Sequence, residues 1–254
     1  MKVQLFQTNL TWENPELNLH TFQTLFDKQT PADLILLPEM FTTGFSMNPE
    51  KLASRNTTVL TWMIEMAKKY GFAVCGSIIV EDNGQFFNRL YFVEANGGVH
   101  QYDKRHLFTM GQEPEHYSPG KERVIIHYKG WKILPLICYD LRFPVFSRND
   151  CDYDLLLYVA NWPEKRSFHW SQLLLARAIE NQSFVLGCNR TGADGNGIMH
   201  SGDSAIIDYK GQMISSLHQA EGIVQAELNL DELHEARSKF PVLKDRDLFS
   251  SDWK

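Results

Sequence analysis

Three observations predict an α/β fold for this 254-residue chain. Short apolar runs alternate with stretches of helical periodicity, several of these runs are apolar almost without interruption, and no repeat or low-complexity tract breaks the pattern. A strand half in water alternates apolar with polar residues, so a continuous apolar run belongs to a sheet covered on both faces. Val3 to Asn9 reads as the first strand and Leu34 to Leu37 as the second. Thr57 to Tyr70 is a helix with Gly71 as its stop, because glycine adopts the left-handed conformation that ends helices at little cost. Phe72 to Val80 is a third strand, and Phe86 to Tyr102 is a hairpin turning at Asn96-Gly97-Gly98. Ile133 to Ile137, Leu155 to Val159 and Phe184 to Cys188 are later strands. Before the last of them, Ser167 to Asn181 is a helix with Ser167 as N-cap. This helix is apolar on nearly all sides (Phe168, Trp170, Leu173, Leu174, Ile179), so it is either buried in the domain or shared with a second subunit.

At 43% hydrophobic residues, the chain can bury a sizeable core as one domain over residues 1–254. A net charge of −6 and an isoelectric point near 5.8 argue against nucleic acid or an anionic membrane surface as partners, since both require a basic face. The amino terminus reads as a strand, without the pattern of a signal peptide, and no apolar run is long enough to span a bilayer. A soluble, cytoplasmic protein is expected. The four cysteines form no C-x-x-C pair and no zinc-like spacing with the nine histidines, so they are expected to be free thiols. Cys75 and Cys188 sit in apolar strands and read as core packing. Cys151 lies between Asp150 and Asp152, whose charges disfavour its thiolate.

Three segments carry chemistry. In Gly130-Trp-Lys-Ile-Leu-Pro-Leu-Ile-Cys138-Tyr-Asp-Leu-Arg-Phe-Pro, a cysteine stands where an apolar strand runs out and a helix is about to begin. A thiol on such a turn has the amide N–H of Tyr139 beside it as an oxyanion donor. Leu34-Ile-Leu-Leu-Pro-Glu39-Met-Phe ends another strand in a carboxylate, with Pro38 constraining the backbone just before it. Tyr102-Asp-Lys104-Arg-His-Leu-Phe carries a lysine among neighbouring charges, which by themselves describe a wet surface loop.

Glu39, Lys104 and Cys138, in this order and wording, resemble the triad of the nitrilase (carbon–nitrogen hydrolase) superfamily. Asn161-Trp-Pro-Glu-Lys-Arg-Ser-Phe-His-Trp and Ala176-Arg-Ala-Ile-Glu-Asn-Gln182 resemble its omega-amidase branch, so the likeness covers the whole chain. It implies a four-layer α-β-β-α sandwich, association into homodimers or higher homo-oligomers, and thiol hydrolysis of a small amide substrate with no metal and no organic cofactor. Glu39 is then the base, its pKa of about 4.3 raised by burial. Lys104 and the Tyr139 N–H hold the oxyanion, and the cation also favours thiolate. A second glutamate of the family falls before Ser118-Pro-Gly120, where spacing favours Glu113 over Glu115, bonding to Lys104 or to the substrate amide.

The omega-amidase likeness implies small dicarboxylic monoamides such as 2-oxoglutaramate, 2-oxosuccinamate or succinamate. Their far carboxylate requires a cation, for which Arg166 is the candidate, with Trp162, Phe41 and Phe45 as walls. Arg142 and Arg190 compete for that role, though Arg142 is expected to pair with a carboxylate near the turn. An N-carbamoyl amide hydrolase would use the same triad. A papain-like enzyme would instead pair Cys138 with His106 or His116, and a binding protein would keep the fold without catalysis.

Overall fold

The structure is a computed structural model and describes residues 1–28, 30–53 and 56–247. The chain runs β1 (Lys2–Gln7), α1 (Pro15–Lys28), β2 (Leu34–Leu36), α2 (Pro49–Leu52), α3 (Asn56–Tyr70), β3 (Ala73–Asp82), β4 (Gln85–Val93), β5 (Val99–Asp103) and α4 (Glu113–His116). It continues through β6 (Ile126–Tyr128), β7 (Trp131–Ile137), β8 (Leu155–Ala160), α5 (Ser167–Asn181), β9 (Phe184–Asn189), β10 (Thr191–Ala193), β11 (Met199–Ile207), β12 (Met213–His218), β13 (Gly222–Glu227) and α6 (Leu230–Lys239). One sheet has the order β13-β1-β2-β3-β4-β5, with β1, β2 and β3 parallel. The other has the order β10-β11-β9-β8-β7-β6, with β7, β8 and β9 parallel and β12 paired to β11.

Alternation along each strand builds the layers, because successive side chains point to opposite faces. Val3, Leu5, Leu34, Leu36, Ala73, Cys75, Leu90 and Phe92 of the first sheet pack in one core with Ile133, Leu155, Leu157 and Leu186 of the second. The intervening residues Phe6, Ile35, Val74, Tyr91 and Val93 pack instead beneath Phe22 and Phe26 of α1 and Met63 and Ala67 of α3. On the far side, Trp170, Leu174 and Ala178 of α5 cover the second sheet. Gly187 of β9 permits this approach: a Cβ there would lie 2.6 Å from Leu174 and 2.8 Å from Trp170. The result is the α-β-β-α sandwich.

Several sequence expectations shift. Asn9 lies beyond β1 and forms an isolated bridge with Thr191. The N-cap of α5 is Arg166 rather than Ser167, because a 3-10 turn over Glu164–Arg166 leads into the helix, and it makes no side-chain cap. α5 is not buried all round: its inner face is covered, while Phe168 and Ile179 remain exposed. Gly71 does end α3, with φ +76° and its N–H donated to the Ala67 carbonyl. No helix among the described residues is long and apolar enough to cross a membrane.

Candidate active site

The three triad positions follow β2, β5 and β7, at strand ends where the two sheets face each other. Strand ends free side chains from the ladder and make the natural rim of a site. Glu39 is fully buried just beyond β2. Its turn is pinned by Ser77, whose hydroxyl accepts the Met40 N–H at 2.9 Å, while Met40 itself holds φ +43°. Glu39 Oε1 accepts from Lys104 Nζ and Asn88 Nδ2, each at 2.8 Å, and Oε2 accepts from the Asn161 N–H at 2.8 Å.

Lys104 is only 1% exposed, which removes the surface-loop reading. The Asp103-Lys104-Arg105-His106 charges face different ways, since Asp103 pairs with Arg89 and His106 with Asp140. Lys104 Nζ donates to Glu39 and, at 3.0 Å, to both oxygens of Glu113. Burial pulls this ammonium down, but the charges of Glu113 and Glu39 outweigh it and hold the pKa above the usual lysine value. Glu113, completely buried, also accepts the Phe108 N–H at 2.6 Å, whereas Glu115 is exposed. Burial holds the Glu113 carboxyl above its ordinary value, opposed by Lys104 and reinforced by Glu39. Gly120 lies so close beneath this strand that a Cβ would come within 2.1 Å of the Asp103 carbonyl oxygen.

Cys138 opens a short 3-10 turn, Cys138–Arg142, rather than an α-helix, and holds φ +44°. Left-handed backbone is costly for a residue with a Cβ and persists where surroundings impose it. Arg177 of α5 helps to impose it, donating to the Leu141 carbonyl at 2.6 Å. Burial pushes the Cys138 thiol well above its ordinary pKa, followed by the charge of Glu39 and a hydrogen bond to that carboxylate, with Lys104 opposing. Lys104 thus does favour the thiolate, but burial and Glu39 outweigh it.

A cavity of about 260 Å³ opens above these groups, lined by Glu39, Lys104, Cys138, Tyr139 and Asn161 at its floor. Phe45 and Trp162 line this cavity, and the Lys104 ammonium lies 5.1 Å over the Phe45 ring. Phe41 is not a wall. It packs on the other side of the first sheet, edge-on to Phe22, because the turn after β2 carries it into the α1/α3 core. Arg166 lines the cavity with its guanidinium 5.4 Å over the Phe108 ring. Arg142 lines it too, 4.8 Å over Trp162 and beside His169, and pairs with no carboxylate among the described residues. Arg190 does not compete for the cavity: it is buried behind it and donates to Asn9 and to the backbone carbonyls of Leu10, Thr191 and Ala193. His106 is bound to Asp140 at 2.8 Å and stacked on Phe143, and neither it nor His116 lines the cavity, so a Cys–His pair is not assembled.

Sequence reasoning missed Asn88, Asn161, Asp140 and Arg177 as site-building residues. A lone asparagine within Phe86-Phe-Asn88-Arg-Leu-Tyr-Phe92 was the available signal for the first, because an apolar strand rarely buries an unpartnered amide.

A family model for carbon–nitrogen hydrolases matches residues 2–238. The chain belongs to this family. It is 48% identical over 251 residues to the omega-amidase YafV of Escherichia coli, covering 98% of each chain. It is 36% identical to the 2-oxoglutaramate amidase of Bacillus subtilis, covering 97% of this chain and 98% of that one. The crystal structure of XC1258 from Xanthomonas campestris, a superfamily protein with an arsenic adduct in its active site, superposes with a TM-score of 0.96 at 39% identity, covering 99% and 98% of the two chains. Matched to omega-amidases over its full length, this carbon–nitrogen hydrolase is an omega-amidase-like enzyme.

Proposed function

We propose that this hydrolase releases ammonia from the terminal amide of small dicarboxylic monoamides, such as 2-oxoglutaramate, 2-oxosuccinamate and succinamate, through a Cys138 thioester. The observation that carries the reading is the buried Lys104 ammonium, bridging Glu39 and Glu113 on the floor that also holds Cys138. An ammonium has three N–H donors. Glu39 takes one, the two oxygens of Glu113 share a second, and the third serves the oxyanion together with the Tyr139 N–H, which lies in the first turn of a 3-10 helix and lacks an intrahelical acceptor.

A thiol held neutral by burial attacks only as its proton leaves, and Glu39 is the group that takes it. Sulfur adds to the amide carbon, Glu39 passes the proton to departing ammonia, and water deprotonated by Glu39 then releases the acid and restores the thiol. Glu113 holds Lys104 in register throughout. Arg166, with no carboxylate partner among the described residues, clamps the distal carboxylate of the substrate. The names of the relatives support this substrate class.

A panel of monoamides, carbamoyl amines and nitriles, assayed for ammonia, tests the reading. Succinamate should be turned over far faster than uncharged butanamide, and Arg166→Met should remove most of that preference, since breaking a desolvated charged hydrogen bond costs ~2–5 kcal/mol. A wild-type preference for a carbamoyl amine over every monoamide would replace this proposal with an N-carbamoyl amide hydrolase.

A further inference from the structure

Asp140 is fully buried, does not line the cavity, and is the convergence point of the two segments that carry Lys104 and Cys138. Its Oδ2 accepts the Ile137 N–H at 3.0 Å, directly before the nucleophile, and the Tyr102 hydroxyl at 2.7 Å, two residues before the lysine. Its Oδ1 accepts the His106 N–H at 3.0 Å and lies 2.8 Å from His106 Nδ1, two residues after the lysine. Tyr102 in turn accepts the Arg105 N–H at 3.1 Å. Four donors thus meet one carboxylate, and both segments they fix flank a reacting group.

We propose that Asp140 is a positioning residue, a buried clamp that sets the sulfur of Cys138 against Lys104 and Glu39 and holds the left-handed turn at Cys138. The proposal rests on the amidase reading only for the roles of those three groups. A carboxylate is required because an amide in its place turns an N–H toward either the Ile137 N–H or the His106 N–H. Backbone donors cannot reverse. Tyr102 remains a donor, since burial, followed by the Asp140 charge, holds its phenol far above the ordinary value.

The test uses the full chain with Asp140→Asn, Tyr102→Phe and His106→Asn. Ammonia release from succinamate, thermal unfolding and the pH dependence of Cys138 alkylation by iodoacetamide, read by peptide mass, are measured together. Below its melting temperature, Asp140→Asn should lower kcat by ~100-fold with KM nearly unchanged, the scale of an ångström-sized misplacement, and should slow Cys138 alkylation and displace its pH profile. The single-donor variants should lower kcat by about tenfold, again at constant KM. An unchanged alkylation profile in all three variants overturns the proposal, as does a kcat loss that cooling fully restores. If Asp140→Asn does not fold, Tyr102→Phe and His106→Asn decide. Wild-type protein that releases no ammonia from any amide would sink the amidase reading alone, because alkylation still reports the geometry.

Discussion

Three buried cysteines occupy two different regions. Cys75 and Cys188 lie within strands between the sheets, whereas Cys138 lies just past a strand end on the cavity lining. Acidity does not separate them. Burial pushes all three thiols above their ordinary value. What differs is the neighbour: the Cys188 sulfur faces the carbonyls of Phe6 and Leu36 at 3.7 and 3.5 Å, which cannot take its proton, while Cys138 shares the cavity lining with the Glu39 carboxylate, which can. A buried thiol is inert packing until a base and an oxyanion donor are fixed beside it.

The sharpest way to break this comparison is to delete the thiols one at a time. Cys138→Ala should reduce ammonia release to background with the melting temperature nearly unchanged, and Cys75→Ala and Cys188→Ala should keep turnover. Activity surviving in Cys138→Ala would mean that the strand-end thiol is not special.

Lys104→Met probes the same contrast through stability. It strands two buried carboxylates without their cation, and breaking a buried ion pair costs about 3–5 kcal/mol, so urea unfolding should show a loss of that size beside the loss of activity. A midpoint equal to wild type would show that the carboxylates do not depend on the ammonium.

The strand-end region should also carry pH-dependent stability that the layer between the sheets lacks. His200, on the cavity wall, is held down from 6.5 to about 4, first by burial and then by the Arg190 charge. A depressed histidine contributes stability that is present above pH 6.5 and lost as pH falls toward 4. The shift corresponds to about 3 kcal/mol. Denaturant unfolding of His200→Gln should therefore depend less on pH across that window than wild type. This pairing also isolates His200 from Glu113, whose shift runs the other way. Equal slopes would count against it.

The smallest effect belongs to the packing cysteines. Cys188→Ala should cost on the order of 1 kcal/mol in the same unfolding assay, as small deletions in a core do. A loss near that of Lys104→Met would erase the distinction between the two regions.

The apolar runs at residues 34–37, 72–80 and 155–159 were legible as buried strands because doubly covered strands need apolar residues on both faces. Cys138 and Glu39 were legible as reactive types at strand ends, whereas Lys104 and Glu113 were legible only through the resemblance to the nitrilase superfamily, since local wording alone describes charged loops. By itself, the sequence determined these strand positions, the strand ends and the chemical types standing there. Tertiary structure decided which of them meet. The burial of Lys104 inside a run of charges, the turning of Phe41 away from the cavity, and the gathering of Asn88, Asp140, Asn161 and Arg177 around the site depend on how two sheets and α5 pack. Those contacts join residues far apart in the chain, 122 positions in the case of Asn161 and Glu39. Local periodicity reports only which face a residue takes, and the partner across the layer is set by sheet order and register.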